Sequence, residues 1–188
     1  MKINKVFNWQ NLCLFGAGLI VLVLFISSSM PYTKQTSVPF LEQHLAQKPL
    51  ENWLSQISFR YAGKEISIAN IGYYKLVEFF IRKGAHFGTY FLLGGLTSLG
   101  LAHYWPKLGH VAFTSWMLAT FYAGTDELHQ MFTGDRTPLI QDVILDSCGA
   151  LLGVMFAILL LYRSQKTAKW LRILQPIIFF VKIYTAYC

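Results

Sequence analysis

The block from Thr125 to Arg136 reads Thr-Asp-Glu-Leu-His-Gln-Met-Phe-Thr-Gly-Asp-Arg, and Asp142 and Asp146 follow it. Apolar sequence closes in on both sides. Val111 to Gly124 carries no charge, and neither does Cys148 to Tyr162. Ionisable residues at the mouth of an apolar helix are expensive to desolvate, so they mark a functional site. The residue types suggest two kinds of chemistry. His86 and His129 can exchange protons near neutral pH. Arg82, Lys83 and Arg136 can hold phosphate or carboxylate groups by charge-assisted bonds, or stabilise negative charge as it develops.

Spacing sorts these residues onto helix faces. Glu78, Arg82, His86 and Tyr90 are each four apart, so a helix lines them up as one polar stripe. The plainer reading is a Glu78–Arg82 surface pair above a hydrogen-bonded His86. Asp126, His129 and Gln130 share a second face, with Glu127 roughly 100° away. Two acids near a helix C-terminus oppose the macrodipole, so Asp126 and Glu127 call for a neutralising partner such as Lys83, Arg136 or a cation. A third face carries Asp142 and Asp146 and continues through Gly149 and Gly153. Capping partly accounts for Asp142. The plain reading of Asp146 is one interhelical hydrogen bond. The Gly149-x-x-x-Gly153 spacing predicts close helix packing, which turns both aspartates into the bundle.

The elements that hold these faces are membrane helices. With 54% hydrophobic and only 13% charged residues, the chain falls well below the charge of a soluble domain. Its 188 residues fit a single domain. Spans are expected at about 12–30, 84–104, 108–124 and 140–162, each near the length a bilayer requires. The first reads as an uncleaved anchor, with a signal peptide as the alternative. Lys2, Lys5, Lys107, Arg163, Lys166, Lys169 and Arg172 fall on one side of a four-span topology, which puts both termini in the cytoplasm. The segment 32–82 and the Asp126–Arg136 loop then face outside.

That outer segment has helical apolar spacing from Phe40 to Ile57, broken at Pro49. A hairpin signal follows, with Ile57, Phe59 and Tyr61, then Ile66 and Ile68, around Ala62-Gly63. Such a hairpin needs the helices or the lipid surface to pack on. Residues 170–188 read as an interfacial helix, with a fifth span as the alternative. The expected fold is an all-α integral membrane four-helix bundle with a small extracellular surface helix and hairpin.

Other classes find little support. No basic stripe with interleaved aromatics points to nucleic acid, despite a net charge of +7. Cys13, Cys148 and Cys188 form no CxxC pair, which argues against a disulfide framework or a zinc site. There is no P-loop, HExxH or serine-nucleophile motif. No cofactor is expected. A divalent metal held by histidines and carboxylates is the lesser alternative.

The motifs themselves carry a resemblance. Arg82-Lys83-Gly84-Ala85-His86-Phe87 with Tyr90-Phe91, the block Thr125 to Phe132 with Gly134-Asp135-Arg136, and Asp142-Val143 with Asp146-Ser147-Cys148-Gly149-Ala150 together resemble the signatures of the VanZ-like membrane proteins. The match covers about Phe79 to Gly153. Thr125 stands where the family often has serine. Asp146 stands where it often has asparagine, and so adds a charge.

The resemblance implies a bacterial cytoplasmic-membrane protein, linked through the founding member to reduced susceptibility to teicoplanin. It supplies no mechanism. Two readings follow. In the first, an outer-leaflet site binds a lipid-linked cell-wall precursor, an anionic headgroup or the lipoglycopeptide itself. Arg82, Lys83, Arg136 and their polar neighbours Glu78, Tyr90, Gln130, Asp142 and Asp146 would form the binding cage. In the second, a membrane-embedded hydrolase or transferase acts on an envelope lipid. His86 or His129 would be its acid or base, oriented by Asp126 or Glu127. A proton-coupled transporter has the right residue types, but four spans leave it little room.

Overall fold

The computed structural model describes residues 9–133 and 138–187, apart from the side chains of Tyr32, Thr133 and 166–187. Helix α1 spans Trp9–Ser28. It ends where the hydroxyls of Ser28 and Ser29 both turn back to the Phe25 carbonyl, at 3.0 and 2.8 Å, just ahead of Pro31. Three short helices follow: α2 (Tyr32–Gln35), α3 (Val38–His44) and α4 (Glu51–Leu54). The expected break at Pro49 lies between α3 and α4, where Lys48 and Leu50 both have positive φ.

Strands β1 (Ser58–Tyr61) and β2 (Lys64–Ser67) pair antiparallel, with Phe59 opposite Ile66 and Tyr61 opposite Lys64. The two-residue turn needs positive φ at both positions to match the strand twist. Ala62 and Gly63 supply it, at 51° and 77°. The sequence expectation carried the second strand to Ile68, but that residue opens α5 (Ile68–Ile71). The hairpin is not free-standing. Ile66 is buried with Leu54, Tyr73 and Leu76, while Phe59 and Tyr61 pack on the Phe79 ring.

Three long helices complete the chain: α6 (Tyr73–Leu101), α7 (Leu108–Thr133) and α8 (Ile140–Tyr187). At 1.5 Å per residue, the 29 residues of α6 reach about 44 Å, longer than the roughly 30 Å of a bilayer's hydrocarbon. Its first turns form the platform for the hairpin. The backbone of α8 stays helical through the tail that was expected to form a separate interfacial helix. Among the described residues, two helices are long and apolar enough to cross a membrane, Trp9–Ser28 and Ile140–Gln165. Helices α6 and α7 are also long, but they carry the polar residues of the site.

Helix α6 lies at the centre and packs most extensively on α8. The reason is backbone contact through glycine. A Cβ on Gly149 would overlap the Phe87 carbonyl, one on Gly153 the Phe91 carbonyl, and one on Gly94 the Ala150 carbonyl. The close packing read from Gly149 and Gly153 is present. Around it lies a core of Ala17, Leu24, Tyr90, Leu93, Ala119, Ala123 and Ala150. Polar ties join the other helices. Tyr122 Oη donates to the Val21 carbonyl at 2.9 Å, and Trp116 Nε1 donates to Ser147 Oγ at 3.0 Å. Exposed apolar side chains such as Phe15, Leu22, Phe113, Phe121, Met155 and Phe156 cover the outer faces, a surface suited to lipid.

Candidate functional site

The N-terminal half of α6, the end of α7 and the start of α8 meet at one end of the bundle, with the hairpin laid over them. Between them opens a cleft of ≈ 610 Å³. Lys64 and Tyr61 line it from the hairpin, Lys75, Glu78, Arg82, Lys83 and His86 from α6, Glu127 and Gln130 from α7, and Asp142 from α8. Ile66, Ile71, Phe79 and Leu139 supply an apolar wall.

Asp142 is the joint of this end. Lys83 Nζ lies 2.5 Å from its Oδ1, and the Tyr61 hydroxyl donates to the same oxygen. The Lys83 ammonium also sits 4.9 Å from the centre of the Tyr61 ring and 5.6 Å from that of Phe79, where the negative ring faces attract it. Burial raises the Tyr61 phenol above the ordinary tyrosine range, and the hydrogen bond to Asp142 and its charge add to the rise. The phenol therefore stays protonated and remains a donor. Tyr61→Phe should loosen the hairpin. Amide exchange over residues 58–67 is expected to quicken by about tenfold, the equivalent of one hydrogen bond. An unchanged exchange rate would mean that the latch carries no load.

The residues singled out from sequence separate into three groups. Glu78 is buried at 2% exposure, and its Oε1 accepts from Ser37 N at 2.6 Å and Ser37 Oγ at 3.3 Å. It ties the entry of α3 to α6. Arg82, Lys83 and His86 do line the cleft, and Tyr90 is fully buried below them. His86 Nδ1 is 3.5 Å from Asp146 Oδ2, which joins the α6 stripe to the α8 face.

On α7, Gln130 Nε2 donates to Asp126 Oδ2 at 3.0 Å, as their shared face implies. His129 leaves that face. Its Nδ1 is 2.9 Å from Ser28 Oγ, and its ring stacks on Phe25 at 4.7 Å with only 5° between the planes. It packs against α1 and does not line the cleft. Glu127 accepts from Leu139 N at 3.0 Å and so fastens the end of α7 to the approach of α8. Arg136 lies outside the described residues.

Sequence reasoning set Lys75 three residues before Glu78 beside the α6 stripe without giving it a role, and it passed over Tyr61, Lys64, Ser28 and Ser37 as site residues. The strand alternation did pair Tyr61 with Phe59 on one face, and that was the available signal. Its partner Asp142 is 81 residues away, and no local pattern links them. Among the described residues, no group of three His, Cys, Asp or Glu side chains is arranged to hold a metal ion.

The arrangement can hold an anionic group against an apolar wall, with a carboxylate-paired imidazole beside it. A family model described as VanZ/LLP1 matches residues 13–162, a stretch that contains every residue of the cleft. No curated protein and no solved structure is similar enough to match.

Proposed function

The chain belongs to the VanZ/LLP1 family, and from that premise we propose that it is a four-span protein of the bacterial cytoplasmic membrane that binds an anionic lipid-linked or cell-wall headgroup at the outer leaflet. Helices α1, α6, α7 and α8 are the spans. Both termini are cytoplasmic, as the basic residues at Lys107 and Arg163 favour. The cleft then faces outside. By holding a precursor lipid, or the lipid-bearing antibiotic itself, the protein lowers susceptibility to lipoglycopeptides such as teicoplanin.

One observation carries this reading: the cleft has surplus positive charge. Its described lining carries four basic side chains, Lys64, Lys75, Arg82 and Lys83, against three acidic ones, Glu78, Glu127 and Asp142. Lys64 and Lys75 face the same space, together with Arg82. A phosphate or carboxylate headgroup suits that balance, and the Ile66, Ile71 and Phe79 wall suits the start of an acyl or prenyl chain.

The test uses the full chain in nanodiscs, titrated with short-chain phosphatidic acid and with phosphatidylcholine of the same chain length. The acid should bind and the zwitterion should not. Lys75→Gln and Arg82→Gln should each weaken binding by about tenfold, the loss of one charge-assisted contact. Expression in a susceptible host should raise the inhibitory concentration of teicoplanin, and the same two variants should reverse that rise. Equal binding of both lipids would sink the proposal.

A second reading rests on a different observation. Asp146 holds Nδ1 of His86, the arrangement that orients an imidazole for acid–base work on a group bound in the cleft. A hydrolase or transferase acting on the bound lipid would use it. His86→Gln separates the two readings. If the protein is an enzyme, headgroup binding persists while the extracted lipid profile changes. If it is a binder, that profile does not differ between wild type and variant.

A further inference from the structure

At the end of the bundle away from the cleft, a second cavity of ≈ 770 Å³ opens between α7 and α8. Its lining runs from Leu108 to Trp116 on α7 and from Leu151 to Tyr162 on α8. Every lining side chain is apolar or aromatic. Helix α7 ends at the cleft where α8 begins, so the start of α7 lies beside the later turns of α8. The two lining stretches rise roughly 12 and 17 Å, about half of a bilayer's 30 Å of hydrocarbon. The groove is one leaflet deep.

Its deep end is fixed. Trp116 Nε1 donates to Ser147 Oγ at 3.0 Å, and Ser147 Oγ lies 2.8 Å from Thr120 Oγ1. Its side is open, since Phe113, Met155 and Phe156 are all more than half exposed. Ala112 lines the groove and is too short to fill it. An empty apolar groove forfeits dispersion contacts along its whole wall, and in hydrocarbon a lipid chain restores them.

The mouth of the groove carries charge. Lys107 immediately precedes Leu108, Arg163 immediately follows Tyr162, and both are exposed. The stretches 79–125 and 147–188, which hold both residues, contain no Asp or Glu. A headgroup of net negative charge complements that end. We infer that the groove holds an acyl chain of an anionic phospholipid, in the leaflet opposite the cleft, with the headgroup at Lys107 and Arg163. The inference rests on α7 and α8 crossing the bilayer as proposed above, and not on what the cleft binds.

Trp116 reports on the groove, because it lines this cavity and not the cleft. The full chain, with Trp9, Trp53, Trp105 and Trp170 replaced by Phe, is reconstituted in phosphatidylcholine vesicles. These carry dibrominated phosphatidylglycerol or dibrominated phosphatidylcholine at matched mole fractions, and bromine quenches an indole it touches. Phosphatidylglycerol should bind beside Trp116 about twentyfold more tightly, through two basic residues. Lys107→Gln should cut the preference to about fivefold, and adding Arg163→Gln should remove it. Ala112→Phe fills the groove and should abolish the preference as well. Lys75→Gln should weaken binding in the cleft and leave Trp116 quenching as it was, so the two sites fail separately. If the Phe replacements unfold the chain, native mass spectrometry decides: wild type should retain one phosphatidylglycerol more than Lys107→Gln. Equal quenching by both lipids would overturn the inference and leave α7 in the bilayer. Quenching by neither would overturn it too. Aqueous iodide then tells an α7 that does not span, which it quenches, from a groove covered by a second copy of the chain, which it does not.

Discussion

Gly153→Leu is expected to abolish the native bundle. A Cβ at this position already overlaps the Phe91 carbonyl, which is backbone and cannot rotate aside. A leucine must therefore push α8 away from α6 along their main contact. Overpacking a well-packed core usually costs about 1–3 kcal/mol, and a rigid backbone obstacle belongs at or above the upper end. That is a large share of a membrane domain's margin if it resembles the 5–15 kcal/mol of native proteins generally. The variant should migrate as aggregate in size-exclusion chromatography, or melt far below wild type. Gly88→Leu is the comparison. A Cβ there meets nothing within 4 Å, so its effect should stay within about 0.5 kcal/mol. Similar melting of the two variants would show that α6 and α8 do not approach through Gly153.

The second large effect is expected at Lys83. Lys83→Met keeps much of the aliphatic stem but removes the ammonium 2.5 Å from Asp142. Both side chains are mostly buried, at 23% and 18% exposure, so the aspartate left behind is poorly solvated. Truncating one partner of such a pair costs about 2–5 kcal/mol, much of it from the stranded charge. Partial exposure here favours the low end. Headgroup binding should fall by more than about thirtyfold, a little over 2 kcal/mol. The double variant Lys83→Met with Asp142→Asn tells the two losses apart. Removing the stranded carboxylate should restore most of the melting temperature and much of the binding, since Lys83 and Asp142 together add no net charge to the cleft. If binding stays lost, Lys83 touches the headgroup directly.

Much of this architecture was legible because its signals are local. Pro31 and the charged boundaries limit the helices. Ala62-Gly63 between alternating apolar residues gives the hairpin turn, and both residues adopt the positive φ that turn requires. Gly149 and Gly153 lie on one face, and their role as contact points follows from having no side chain. The sorting of α7 was less legible. Asp126, His129 and Gln130 fall within one broad arc, but His129 and Gln130 are still about 100° apart. That angle is enough to send Gln130 to Asp126 and His129 to α1, whose Phe25 ring takes the imidazole. Helical periodicity defines the arc and not the neighbour on each side of it. The Tyr61–Asp142 and Ser37–Glu78 contacts were invisible for the same reason, since each joins segments that only tertiary packing brings together.

The distance along the chain between Lys83 and Asp142 also sets a problem in time. They are 59 residues apart. At ribosomal speeds of about 5–20 residues per second, Lys83 is made roughly 3–12 s before the residue that neutralises it. Tyr61 waits longer still, since 81 residues separate it from the same aspartate. Lys83 is therefore made while its carboxylate partner is still absent, and the hairpin cannot be latched until the start of α8 has emerged. A chain truncated before Asp142 would lack the joint that holds both Lys83 and the hairpin at this end of the molecule.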